Sequence, residues 1–503
     1  MKAAQSASRA VAPGRDDIVI GHDILGLISS AMYTEPLTVY RELCQNAADA
    51  IDEAVDTNVL MRGDARVDLT IDQMHRTITV RDNGAGVPND AFGQRMCSIG
   101  ASRKRGTGAR GFRGIGRLVG LGYCQELVFR SRAAGDVGIR EATWDCRALR
   151  DALRSPVHSS LVDVVASIVT IASHRATPED PAHFFEVQLR KVVRLASDVL
   201  LNSAAVEAYL AEVGPVPFHP SFSHGPAIVE YLEKSSQFTT LAIYINGSGE
   251  GVTRPYRDVP AVSPSKSTRL QSPKLFEIPS QDGERAAVGW IVHHDYLGAF
   301  PRALGVRGLR ARVGNLQIGE DNCFDDIFSE PRFNQWTIGE VHVLDARIVA
   351  NGRRDFFEPN LHFENLCNHL VEYTQDIARR CRSYSNARRK ERSLTDLENA
   401  LTAYAKLLKK SRVARILRDE LVTDVLEQIQ RSRRKLSPKE QAGDHILRVE
   451  QRVNALIETG KGDDGRATQR QMGQADVLRL LRERIPGGTA ASVQLLKMLD
   501  ELE

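Results

Sequence analysis

Apolar positions recur at helical spacing through residues 37–51, where Leu37, Tyr40, Cys44, Ala47 and Ile51 share one face. Thr34-Glu35-Pro36 precedes them as a capped helix start with proline in the first turn, and the helix is expected to run to about Val55. Another helix is expected before it, over residues 21–32. The period then changes to two. Val67-Asp68-Leu69-Thr70-Ile71 and Thr77-Ile78-Thr79-Val80 alternate, and read as an antiparallel pair joined near Gln73-Met74-His75. Glycine-rich sequence fills residues 84–122, and strand-like runs continue to Ile171. The apolar stretch 162–171, interrupted by Asp163, reads as buried strand. Residues 181–213 read as helix. Pro215, Pro217 and Pro220 end it, and a mixed segment follows with strand candidates at 241–245 and 287–291 and a Ser/Pro/Lys loop at 262–274. From about Leu361 the pattern is helical and charge-rich to the end, with breaks near 436–438, 460–465 and 486–488.

These elements predict an α+β protein in parts. Residues 1–15, rich in Ala, Ser and Arg, read as a disordered tail without the apolar core of a signal peptide. Residues 16–180 form a first domain of helices on a mixed, mainly antiparallel sheet. Residues 181–360 form an α/β middle domain with a helical connector at about 181–213, and residues 361–503 an α-helical region. A chain of 503 residues is too long for one core, which agrees with this division. The net charge of +3 argues neither for nor against nucleic acid. Seven cysteines are scattered without a CxxC pair or zinc spacing, so reduced thiols and a cytoplasmic location are expected. No apolar run reaches the roughly 18–20 residues that a membrane helix needs, so no membrane partner is expected.

Three polar elements change the picture from fold to chemistry. In Arg41-Glu42-Leu43-Cys44-Gln45-Asn46-Ala47-Ala48-Asp49, the residues Glu42, Asn46 and Asp49 stand at i, i+4 and i+7 and fall on one stripe. Such a stripe is ordinarily a solvated face. Chemically, however, Asn46 offers an oxygen to Mg²⁺, and Glu42 can polarise a water as general base. The second element is Arg81-Asp82-Asn83-Gly84-Ala85-Gly86 at a strand end. Gly84 and Gly86 let the backbone turn sharply and approach a flat ring, whose amino group Asp82 can accept from. An Asp-Asn-Gly turn is the plainer alternative. The third runs from Ser98 through Ser102, Arg103, Lys104 and Arg105 to Gly111-Phe112-Arg113-Gly114-Ile115-Gly116. Its glycines can present backbone N–H groups to phosphate beside positive charge, although the spacing is not that of a Walker loop.

In this order, the three elements resemble the GHKL, or Bergerat-fold, ATPase domain. Ile24-Leu25-Gly26-Leu27-Ile28, Met32-Tyr33-Thr34-Glu35-Pro36 and Tyr40-Arg41-Glu42-Leu43 look like the opening of HtpG-type heat-shock chaperones. The resemblance implies an N-terminal α/β sandwich that takes ATP and Mg²⁺. It makes Glu42 the catalytic base, Asn46 the metal ligand, Asp49 a shaper of the pocket and Asp82 the reader of adenine. Gly84, Gly86, Ser102, Lys104, Gly111, Gly114 and Gly116 would line the nucleotide, and Ser167 would replace a threonine near the adenine. The lid wording, Ala101-Ser102-Arg103-Lys104 and Gly111-Phe112-Arg113-Gly114, looks more like MutL.

Downstream, Asn351-Gly352-Arg353-Arg354-Asp355 resembles the chaperone middle-domain loop whose arginine reaches the γ-phosphate, which assigns Arg354 to catalysis. Arg310 and Arg312 are rival sources of that cation. The resemblance implies a homodimeric, slowly hydrolysing clamp whose lid closure acts on a protein client. The alternative is a clamp on DNA, as in MutL or the MORC proteins, favoured by basic groups at Arg388-Arg389-Lys390, Lys409-Lys410 and 431–435. A histidine kinase is set aside, because His22 is the sole upstream candidate for a phospho-acceptor.

Overall fold

The computed structural model describes residues 35–99, 116–154, 160–194, 197–236, 238–410, 451 and 455. The helix expected at 21–32 and the tail breaks lie outside them. Two compact units divide the chain at Cys381 and Arg382.

In the first unit, α1 (Thr38–Asp56) leads into the hairpin β1 (Arg66–Asp72) and β2 (Thr77–Asp82). Next come α2 (Asn89–Cys97), β3 (Glu126–Arg132), β4 (Gly138–Asp145), α3 (Cys146–Arg154), α4 (Leu161–Ile168), β5 (Val169–Arg175) and β6 (Phe184–Arg190). Helices α5 (Ser203–Val213) and α6 (Gly225–Ser235) precede β7 (Ala242–Ile245). One seven-stranded sheet takes the order β5-β4-β3-β6-β2-β1-β7. Its pairs are antiparallel except β1 with β7. The chain is α+β, as the alternating and helical periods predicted. Leu37, Tyr40, Cys44, Ala47 and Ile51 of α1 pack on this sheet with Val67, Leu69, Ile78 and Val80. Helix α1 begins at Thr38, with Leu37 at the N-cap and no side-chain bond, and the expected cap at Thr34 lies outside the described residues.

Three sequence expectations fail here. The stretch read as buried strand is α4 followed by an edge strand. Ser160 caps the helix, its Oγ accepting from Asp163 N at 3.2 Å, and Val164, Val165 and Ile168 form the buried face. A short β-branched run fits either period, and the cap decides it. The helix expected over 181–213 holds only from Ser203, where Asn202 caps it. Before it, β6 lies between β2 and β3, and its Glu186 is buried against Arg81 and Arg130. The domain boundary expected at residue 180 fails for the same reason, since β6 and β7 both complete the first sheet.

A small hairpin, β8 (Ala261–Ser263) with β9 (Lys266–Ser267), precedes the second sheet. This contains β10 (Pro273–Pro279), β11 (Arg285–Val292), β12 (Gly308–Val313), β13 (Leu316–Ile318) and β14 (Ile338–Val343), in the order β10-β11-β14-β12-β13. One core gathers Ile228 and Leu232 of α6 around Trp290; the other gathers Leu309 and Val341 with Phe363, Leu366 and Leu370 of helix α7 (Leu361–Lys410). In the second unit α7 continues to Lys410. Among the described residues no helix is long and apolar enough to cross a membrane.

Candidate functional site

The polar stripe of α1 is not a solvated face. Glu42 is 3% exposed, Gln45 1% and Asp49 8%, because the helix touches β2, α5 and the turn at residues 116–122. A buried carboxylate holds its charge only against cations or strong donors. Oε1 of Glu42 lies 3.7 Å from Nε of Arg41 and 3.3 Å from Nε of Arg354. Neither contact is a hydrogen bond, and this buried oxygen has none. On its other side, a Cβ on Gly116 would stand 2.6 Å from Oε2. Only a glycine lets the chain pass the carboxylate this closely.

One turn further along, Nδ2 of Asn46 is buried without a hydrogen-bond partner. Rotation of the amide exchanges its two ends, so either a donor or a carbonyl oxygen is available there. Asp49 begins the last part of the stripe, and its neighbour Ala50 meets the second glycine segment. A Cβ on Gly84 would fall 2.7 Å from the carbonyl carbon of Ala50, and Ala85 N donates to Ala50 O at 3.3 Å. Asp82 is buried at the end of β2, where Oδ1 accepts from Gly84 N at 2.9 Å. Gly86 takes φ +70° against the backbone of Arg132. Asp-Asn-Gly therefore makes no hairpin: the chain passes α1 at Ala50 and runs on into α2. Burial, with the Asp82 carboxylate adding to it, pushes the Cys44 thiol up to about 12.

Arg354 lies on the loop 351–356, between the last strand of the second sheet, β14, and helix α7. Asn351 N donates to Phe356 O at 2.9 Å, Arg354 N to Asn351 O at 3.1 Å, and Gly319 N to Arg354 O at 2.9 Å. Arg354 takes φ +57°, a left-handed conformation that costs a side-chain-bearing residue roughly 1–3 kcal/mol. The strain is offset by the surrounding bonds, and it directs the side chain to α1. There Nη1 donates to Oε1 of Gln45, beside the approach to Glu42. Arg41 Nη2 donates in return to Arg353 O at 3.0 Å.

The rival cations are committed elsewhere. Arg310 is buried against Glu212 Oε1 at 2.7 Å and Gln317 Oε1 at 2.8 Å. Arg312 binds Glu340 Oε1 at 2.7 Å and the carbonyls of Glu212, Gly214 and Asn315. Both pin the end of α5 to the second sheet.

Ser167 does not join the group. It lies exposed on α4, its hydroxyl donating to Val164 O at 2.8 Å, beside the edge strand β5. Four inter-strand spacings separate β5 from β2, about 19 Å. Ser102, Lys104, Gly111 and Gly114 lie outside the described residues. Sequence reasoning missed four residues. Gln45 shares the face of Glu42 and Asp49, so its spacing was a usable signal; Arg41 adjoins Glu42. His183, whose ring nitrogen is 2.9 Å from Gly84 O, and Ser131, whose Oγ accepts from Val87 N at 2.7 Å, carry no periodic mark.

A helix stripe with two buried carboxylates and a half-buried amide between them, flanked by a strand-end Asp-x-Gly-x-Gly, defines a GHKL-type nucleotide-binding domain. Residues 33–170 match the family described as Histidine kinase-, DNA gyrase B-, and HSP90-like ATPase, and this segment is a domain of that family. Among curated relatives, the Chaperone protein HtpG of Fusobacterium nucleatum subsp. nucleatum is 34% identical over 86 residues, covering 16% of this chain and 14% of the relative. The Chaperone protein HtpG of Shewanella sp. (strain ANA-3) is 28% identical over 141 residues, 24% of this chain and 22% of the relative. The chain thus spans less than a quarter of the length of these relatives.

Proposed function

We propose that the protein binds and slowly hydrolyses Mg·ATP at the stripe of α1, and couples that cycle to action on a protein client as a homodimer. The observation that carries the reading is the Glu42 carboxylate: buried, without a hydrogen bond to Oε1, and bracketed by Gly116 and the guanidinium of Arg354. A side chain so placed is costly for the fold alone and suits a general base waiting for water. Asn46, with its leftover buried polar atom, would hold Mg²⁺, which supplies charge neutralisation at the phosphates when bound. Asp82 would accept from the adenine amino group and Asp49 would shape the pocket. Gly84 and Gly86 would give the ring close access to backbone, and the basic lid with Ser102, Lys104, Gly111 and Gly114 would cover the phosphates. Arg354 supplies charge at the γ-phosphate from a second sheet, an arrangement suited to stabilising charge that develops during transfer. The protein client follows the likeness to the HtpG chaperones.

Replacing Asp82 by Asn tests the pocket. Loss of a charge-assisted bond worth roughly 1.5–3 kcal/mol should weaken ATP binding at least ten-fold. Calorimetric titration measures it, and an unaltered affinity would remove Asp82 from the site.

A further inference from the structure

We infer that Gln45 is a positioning residue for Arg354, holding its guanidinium with a neutral acceptor so that the arginine stands beside the site without being locked. The inference rests on the reading of Arg354 as a phosphate-directed cation. Gln45 sits in the middle of α1, 1% exposed, where an aliphatic side chain would pack at no polar cost. Its Oε1 accepts from Nη1 of Arg354, while Nε of the same guanidinium faces Oε1 of Glu42 at 3.3 Å. The bond between Arg41 Nη2 and Arg353 O, 3.0 Å, ties the backbone of the loop to the same helix. Two separate groups of α1 thus reach the loop, Arg41 at its backbone and Gln45 at the guanidinium.

The chemical type at position 45 matters. A carboxylate there would form a charge-assisted fork with Arg354 and compete with phosphate for it. An apolar side chain would take away the acceptor that Gln45 offers to Nη1 in a part-buried place. A carboxamide lies between these extremes: it aims the group, and it yields when a stronger anion arrives. Arg354 then exchanges the Glu42 carboxylate for phosphate, which leaves Glu42 to accept the proton of water.

The test is a mutant cycle in the full chain with Gln45→Met, Gln45→Glu, Arg354→Ala and the two double variants, reading kcat for ATP and the affinity for ADP. Each Gln45 variant is expected to lower kcat about ten- to hundred-fold, as small misplacements of a catalytic group do, while ADP affinity stays within about two-fold. Combined with Arg354→Ala, neither should lower kcat further, because the group it positions is gone. Wild-type kcat in the Gln45 variants, losses that multiply with Arg354→Ala, or ADP affinity falling in parallel would each overturn the assignment. Should Gln45→Met fail to fold, Gln45→Glu alone completes the cycle. An Arg354→Ala variant with wild-type kcat is a distinct result: it removes the cation reading itself, and the role of Gln45 with it.

Discussion

Glu42 and Gly116 are far apart in sequence, yet no methyl group fits between them. Gly116→Ala should therefore push the carboxylate aside rather than unfold the domain, since its Oε2 is the far end of a flexible side chain. The expected outcome is a fall in kcat of about ten-fold or more, with ADP affinity little changed. Steady-state kinetics beside ADP titration check it; unchanged turnover would mean that the position of Glu42 at Gly116 is immaterial. At this scale the sequence was informative wherever residue type and spacing carried the chemistry. That Glu42 and Asp49 share one covered face of α1 followed from their helical interval, and that Asp82 ends a strand followed from the alternation before it; their roles belong to the proposal. Ser167 was misread because its neighbours fit a strand as well as a helix, and only the Ser160 cap separates the two.

Among the elements, α1 and the β1–β2 hairpin were legible from period alone, since each has one buried face. β6 was not. It lies inside the sheet, and Glu186 at its centre breaks the apolar run while being neutralised by Arg81 and Arg130. Ion pairs of that kind are invisible to a hydropathy reading. The same holds for the buried cluster that joins the end of α5 to the second sheet. Burial alone would raise the Glu340 carboxyl, but the guanidiniums of Arg254 and Arg312 outweigh it and hold it well below the usual carboxylate range. In the unfolded chain this group titrates near 4.3, so its stabilising contribution is complete above that pH and is lost as pH falls toward the folded value. Glu340→Gln should leave two buried arginines without their counter-charge and destabilise the unit by about 3–5 kcal/mol. Denaturant unfolding at neutral pH measures this loss, and the variant should also show a shallower decline in stability below about pH 4. Equal stability of the variant and the parent would assign the charge balance to other groups.

For the whole molecule, the family match covers residues 33–170 only, and what the ATPase cycle acts on must be read from behaviour. Under the chaperone-like reading, an unfolded polypeptide should raise the ATPase rate several-fold and duplex DNA should not. Stimulation by DNA that declines steeply as salt rises from about 50 to 200 mM would instead favour the DNA clamp. Among the described residues, two contacts between the second sheet's region and the helices of the first differ in character. Arg310 and Arg312 form fixed pins on α5, whereas Arg354 reaches a carboxylate and an amide that can each be exchanged for another partner. That difference separates a structural joint from a contact suited to a cycle, and the sequence pattern alone could not rank the three arginines.

The most direct measurement is ATP turnover and nucleotide binding by Glu42→Ala, made side by side with the parent protein. The account predicts a fall in kcat of about a hundred-fold or more, the share of a general base, with ATP still bound at near-parental affinity. Hydrolysis at the parental rate, or nucleotide binding lost together with it, would contradict the role given to this carboxylate.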